Sequence, residues 1–327
     1  MFNDKEILIM KRILAFLLMI VITASCMAAC KDKKTSENSG GSGAAQKVDV
    51  SKESPDNYFI WGFGPESSED STIIGGLTEE GLMQKSIVIP AKCTELGSSA
   101  FHGADKLETI AFAGGDTIIQ DNQFAGLAGM ASLKTVVLPG NLVTIPDKCF
   151  SGSMVESVQV PASVTTIEQK AFAGCVNLKS IDLSQTSITT ISYNAFGRCE
   201  SLESVVLPDT VKIIEENAFD LCKSLKDINF PVGLEDIKNE AFRFCDSLQS
   251  VTLPESLVSV GSRAFGECPA LEKAYLPATL QVIANDAFYK IALMEGYVQL
   301  TVYVKEGSFA DTNYDDYYDG SMKKDFY

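Results

Sequence analysis

The sequence predicts a repeat solenoid, a single elongated domain of β-rich coils about 23 residues long, joined by short helical turns. Three observations predict it. Phe101, Phe124, Phe150, Phe172, Phe196, Phe219, Phe242, Phe265 and Phe288 follow one another at 23, 26, 22, 24, 23, 23, 23 and 23 residues, most of them preceded by Ala. Leu107, Leu133, Leu178, Leu202, Leu225, Leu248 and Leu271 keep the same period, with Val155 in the remaining coil. A third column is Pro139, Pro161, Pro208, Pro231, Pro254 and Pro277, interrupted by Ser184.

One coil shows why such a period folds. In SLESVVLP, Leu202, Val205 and Leu207 alternate with Glu203, Ser204 and Val206, the pattern of a strand with one buried face. Pro208 ends the segment because it has no N–H to continue a ladder. Val211 and Ile214 form a second inward edge, and Ala218 with Phe219 closes the coil. No coil buries these faces alone, so the coils must stack, turning each position into a column of like residues. At roughly 4.8 Å per coil the array is long and narrow.

Taken along the chain, residues 1–30 are predicted to be a signal peptide. Lys11 and Arg12 precede the apolar run ILAFLLMIVITAS, which is too short for a comfortable membrane span, and the segment ends MAAC. Small residues before Cys30 resemble a lipobox, so Cys30 is the candidate lipidated residue, Cys26 a second, and ordinary cleavage without a lipid the alternative. Residues 31–57 lack almost all apolar side chains and predict a flexible tether, reaching roughly 30 Å. Residues 58–90 predict an N-terminal cap and entry to the first coil, with Tyr58, Phe59, Trp61 and Phe63 covering it; residues 91–298 the array; residues 299–327 a closing strand and an acidic, aromatic cap.

Composition narrows function. With 27 basic and 43 acidic side chains, a formal net charge of -16, nucleic acid and anionic lipid surfaces are poor partners, and contact with a membrane is expected through the N-terminal lipid only. His102 is the sole histidine, which makes Ser-His-Asp and Cys-His catalysis, and any multi-histidine metal site, hard to build. Asp311, Asn313 and Asp315 alternate like the start of a calcium loop. Asp316 stands where that loop needs glycine and Met322 where it needs glutamate, so no metal and no cofactor is expected.

Cys175, Cys199, Cys222, Cys245 and Cys268 recur at the coil period, which is not the spacing of zinc ligands. With Cys93 and Cys149 the count beyond residue 30 is odd, and stacked coils hold neighbouring Cβ atoms farther apart than a disulfide wants. The expectation is a structural column of buried thiols filling a narrow corner, with bridges or metal chemistry as lesser alternatives.

A period near 23 lies in the leucine-rich-repeat range. The coils CESLESVVLPDTVKIIEENAF, CKSLKDINFPVGLEDIKNEAF and CDSLQSVTLPESLVSVGSRAF resemble the BspA-like bacterial leucine-rich-repeat surface lipoproteins. The resemblance runs from about Ile73 to Lys305. It departs in the second coil, which lacks Ile-Pro, and in the fourth, where Leu183-Ser184 replaces Leu-Pro; both are expected to be irregular. It implies an exported, surface-anchored module for adhesion or recognition of a protein partner, conceivably a host extracellular protein, and carries no shared catalytic residues. An envelope-structural scaffold is the alternative and an enzyme the least expected.

The candidate binding face is the outward middle position of the first strand: Ala111, Val137, Gln159, Asp182, Val206, Asn229, Thr252 and Tyr275. It is mixed and mostly small, as broad recognition requires, and Tyr275 is the expected anchor. Leu221 and Phe244, at one turn position in adjacent coils, are either a second apolar anchor or packing over the turn.

Overall fold

The computed structural model describes residues 48–62, 71–114, 116–121, 123–124, 130–290, 298–317 and 322–327. They belong to one compact unit, Lys47–Tyr327. The signal segment, Cys30, most of the tether and Phe63 lie outside the described residues.

Most coils carry two short strands, and like strands of most successive coils pair in parallel. The first column contains β3 (Ser86–Ile89), β5 (Thr109–Phe112), β6 (Thr135–Val137), β8 (Ser157–Gln159), β10 (Ser180–Asp182), β12 (Ser204–Val206), β14 (Asp227–Ile228), β16 (Ser250–Thr252), β18 (Lys273–Tyr275), β20 (Leu300–Val304) and β21 (Met322–Phe326). The second contains β4 (Glu95–Leu96), β7 (Thr144–Ile145), β9 (Thr166–Ile167), β11 (Thr190–Ile191), β13 (Ile213–Ile214), β15 (Asp236–Ile237), β17 (Ser259–Val260) and β19 (Val282–Ile283). At its start β1 (Phe59–Trp61) and β2 (Ile73–Leu77) pair antiparallel, and β2 pairs with β4. The fold class is therefore the leucine-rich solenoid read from the repeat.

The core follows the columns. Leu202, Val205, Leu207, Val211, Ile214, Ala218 and Phe219 are all buried, whereas Val206 is exposed. The phenylalanines stack with little tilt: Phe150 and Phe172 have ring centroids 5.0 Å apart at 4°, Phe242 and Phe265 5.2 Å apart at 3°. Burying each ring contributes roughly 1.5–3 kcal/mol by area alone. The array supplies that gain once per coil.

A third side of the coil binds its neighbour through the backbone. In place of short helical turns the chain makes single hydrogen-bonded turns, because residues two before and two after the phenylalanine adopt left-handed backbone: Asn217 (φ 58°) and Leu221 (φ 60°), Glu240 (54°) and Phe244 (56°). That alternation turns three N–H groups toward the next coil. The amides of Asn217, Phe219 and Leu221 donate to the carbonyls of Asn239, Ala241 and Arg243 at 3.1, 2.8 and 2.8 Å. Gly152 and Gly174 take the later position without strain, and Leu221 and Phe244 hold it because the ladder compensates. Among the described residues, helix is confined to α1 (Glu79–Leu82), α2 (Phe309–Thr312), α3 (Tyr314–Tyr317) and a 3-10 turn at Asp56–Tyr58.

The stretch expected to be tether extends too far. Ser54 N–H donates to Val88 O and Val88 N–H to Ser54 Oγ, both 2.9 Å, while Ala91 N–H donates to Glu53 Oε1 at 2.8 Å. The first strand of a stack has an open edge, and short polar side chains satisfy it. A count of apolar residues does not register such docking. The fourth coil keeps its core, with Ile181, Leu183, Ile188 and Ile191 buried, but is irregular in its pairing as expected, since among the described residues β8 does not pair with β10 nor β9 with β11. Asp182 Oδ1 accepts from Ser184 N–H and Thr186 Oγ1 donates to Leu183 O, which replaces the turn that proline fixes elsewhere. The second coil is irregular as expected: a lone bridge joins Glu95 to Ile118, although Phe124 keeps its place in the stack.

Candidate functional site

The first strand column presents three outward rows. The middle row begins with Val88 and the predicted Ala111, both buried and so not available to a partner, and continues with Val137 opposite Gln159, Asp182 opposite Val206 and Thr252 opposite Tyr275. Val137, Gln159 and Tyr275 are half-buried; Asp182, Val206, Asn229 and Thr252 are exposed. The row beside it is mostly hydroxyls: Ser86, Thr109, Thr135 and Ser157 align in one sheet, and Ser180 pairs with Ser204 in the next.

The outer row alternates in charge: Lys85, Glu108, Lys134, Glu156, Lys179, Glu203, Lys226. Lys85 and Lys134 both grip Glu108, at 2.9 and 2.8 Å, and Lys226 reaches Glu203 at 3.3 Å. Hydrogen bonds from Lys134 and then Lys85 hold the Glu108 carboxyl down to about 2. A period-two pattern laid over a 23-residue period is visible in the sequence, but only a search restricted to one repeat position exposes it. Its consequence is that the face is nearly neutral in a chain of net charge -16, so a partner meets few uncompensated charges there.

Asn229 differs from its row. In the coils before and after it, Leu183 N–H donates to Val206 O (2.8 Å) and Leu253 N–H to Tyr275 O (3.0 Å). At Leu207 the Asn229 side chain takes over: its Oδ1 accepts from Leu207 N–H at 2.7 Å and its Nδ2 donates to Leu207 O at 2.9 Å. Phe230 stands where the nearby coils have Leu183, Leu207, Leu253 and Leu276, and is half-buried, edge-on to Phe242 (5.6 Å) and Phe265 (6.3 Å). Beside it lies a groove of about 640 Å³ lined by Val206, Lys226, Ile228, Asn229, Phe230 and Thr252.

Tyr275 is not a free side chain. Its ring stacks on Tyr303 at 4.5 Å and meets Tyr327 edge-on at 6.0 Å, and Tyr327 Oη donates to Leu276 O at 2.7 Å. The expectation of an independent anchor is corrected: Tyr275 is part of the C-terminal closure, where β20 and β21 bring the other two tyrosines. Nothing at residue 275 announces neighbours 28 and 52 positions away. Of the turn residues, Phe244 lies under the Arg243 guanidinium at 4.6 Å, and Leu221 is half-buried.

Cys175, Cys199, Cys222, Cys245 and Cys268 are buried and unbridged. Each thiol donates to the carbonyl of the phenylalanine one coil back, Cys175 to Phe150 and Cys199 to Phe172 at 3.1 Å, Cys268 to Phe242 at 3.1 Å. The column is thus a hydrogen-bonding ladder as well as filling, which the spacing alone does not reveal. Burial pushes the thiols of Cys175, Cys222, Cys245 and Cys268 up, Cys268 to about 12. Asp311 Oδ1 pairs with Lys324 at 2.9 Å and Oδ2 accepts from Gly307 N–H, so its carboxylate is used in the cap. Among the described residues no cluster of three or more His, Cys, Asp or Glu side chains is placed to hold a metal ion.

The profile of the BspA type leucine-rich repeat region matches residues 80–203 and 189–315, in six copies. Among solved structures, a leucine-rich repeat protein from Bacteroides ovatus is 20% identical over 82% of this chain and 90% of its own, TM-score 0.43. A leucine rich cell surface protein from Faecalibacterium prausnitzii is 20% identical over 79% and 89%, TM-score 0.39. The leucine-rich repeat protein of T. pallidum is 24% identical over 77% and 81%, TM-score 0.30. No curated protein matches the sequence.

Proposed function

Because the chain belongs to the BspA-type leucine-rich-repeat family, we propose that it is a surface-displayed binding module that recognises a protein partner across the first strand column. One observation carries the reading. That column is a broad surface whose outer row alternates in charge, with Glu108 and Glu203 held in ion pairs, and with exposed Val206 and half-buried Val137 among hydroxyls. Such a surface is approached with little loss of ion hydration and offers apolar contact in its middle. The mixed side chains include no nucleophile paired with a base, so binding rather than turnover is the activity it supports.

The N-terminal segment fits the same reading: export, lipidation at Cys30, and a tether that lifts the solenoid from the membrane. The test is capture by the purified body, residues 47–327, from host extracellular fluid and, separately, from the producing cell's own envelope, followed by titration of the identified protein. A saturable host ligand lost on Val206→Glu supports the module. Capture confined to the envelope, indifferent to the strand face, overturns it in favour of a scaffold.

A further inference from the structure

The strand face is interrupted twice among the described residues, between β8 and β10, where Lys179 N–H still reaches Glu156 O at 3.5 Å, and between β14 and β16. β12 pairs with β14 and β16 with β18, but among the described residues no pairing joins β14 to β16, nor does any backbone bond link Asp227–Phe230 with Gln249–Thr252. The same two coils are fastened on their other sides: β15 pairs with β17, and Phe242 N–H donates to Ala264 O at 2.7 Å. The seam therefore opens toward the strand face alone.

Two side chains mark it: Phe230 lays its ring edge-on to Phe242 and Phe265, and Asn229 turns its side-chain amide to Leu207. The backbone that would pair with the next coil is left without its partner. These groups border the groove whose apolar floor is Val206, Ile228 and Phe230.

We propose that this seam docks an extended, uncharged peptide segment of the protein partner, seating one apolar side chain on Val206, Ile228 and Phe230. The proposal rests on the reading of the strand face as a binding surface and deepens it. Unpaired N–H and C=O groups call for amides, which an extended peptide supplies along its length. The floor calls for an aliphatic or aromatic side chain. Charge excludes the alternatives: Lys226 is engaged by Glu203 at 3.3 Å and Asp227 stands beside it, leaving no net field to hold an anion or a cation.

The probe is a pool of acetylated, amidated heptapeptides with a central Phe, Leu, Ile or Val flanked by Ser, Thr and Asn. Hydrogen exchange should find the amides of Ile228, Phe230, Ser250 and Thr252, which face the seam, fast in the free protein and slowed by the pool. The double variant Asn229→Val with Phe230→Leu restores the residue types of neighbouring coils. It should weaken peptide binding at least about tenfold with the melting temperature unchanged or raised. Seam amides already as slow as those of β12 and β18, no response to any peptide, or equal binding by the double variant would each overturn the proposal. Partner binding separates the two ideas. If Val137→Glu, away from the seam, abolishes it and the double variant does not, the seam falls and the face stands; if neither matters, the face falls as well.

Discussion

The Cys222 thiol donates to the Phe196 carbonyl oxygen in the preceding coil, 3.2 Å away, and that oxygen also accepts the Cys199 N–H at 3.2 Å. Removing the thiol therefore leaves the carbonyl satisfied. Cys222→Ala should cost about 1–2 kcal/mol, a small cavity plus one weak bond. Phe219→Ala, which takes a ring from a stack fixed on both sides, should cost about 3–5 kcal/mol. Denaturant unfolding of the two variants checks the ranking; the reverse order would give the thiol ladder a larger role than its bonds explain.

The same burial predicts the chemistry of the thiols. All seven cysteines among the described residues are buried and free. Desolvation raises the thiols of Cys149, Cys175, Cys222, Cys245 and Cys268. A maleimide should label the native body, residues 47–327, only slowly at pH 7 and label it fully in denaturant. Rapid native labelling, or bridges found by mass, would contradict the packing described.

Tyr275→Ala should lower stability by about 1–2 kcal/mol, because it removes contacts to both Tyr303 and Tyr327 at the end of the array. Val206→Glu, on an exposed position, should leave melting nearly unchanged. Calorimetry of the two distinguishes the closure from the open face.

Asp220 sets a pH dependence. Desolvation pushes its carboxyl up to about 6, against attraction from Arg243 and Arg198, and its Oδ1 has no hydrogen-bond partner. Between the ordinary carboxylate value and 6 the folded state binds the extra proton, so this group's contribution makes stability fall as pH rises through that window. Asp220→Asn should flatten the slope and stabilise by about 1 kcal/mol at pH 7.5, after allowance for partial solvent screening. Glu108 acts oppositely: its stabilising pairs are complete above the ordinary value and are lost as pH falls toward 2. Unfolding of wild type and Asp220→Asn between pH 4 and 8 measures the Asp220 slope, and extending the wild-type series down to about pH 2 measures the loss at Glu108.

The repeat made the core legible because burial is enforced once per coil: a column of leucine or phenylalanine at fixed spacing can be explained only by stacking. The left-handed residues on either side of each phenylalanine were not legible. Asn217 suggests such backbone, but Leu221, Phe244 and Glu267 do not, and only the ladder to the next coil accounts for them. Tyr275 was misjudged for a related reason. The row it occupies is periodic, whereas Tyr303 and Tyr327 belong to the closure, which departs from the repeat. Asn229 was legible only as a member of the outward row; that its side-chain amide bonds both backbone groups of Leu207 depends on a side-chain direction no repeat position specifies.

The central claim is that the first strand column is the recognition surface, and paired substitutions at Val206 and Val232 test it most directly. Both side chains are exposed, Val206 on the strand row and Val232 beyond Pro231, outside it. Titrating the captured partner against Val206→Glu and Val232→Glu should show at least about tenfold weaker binding for the first and wild-type affinity for the second, at equal melting temperatures. Equal affinities for the two variants, or loss only at Val232, would contradict the account.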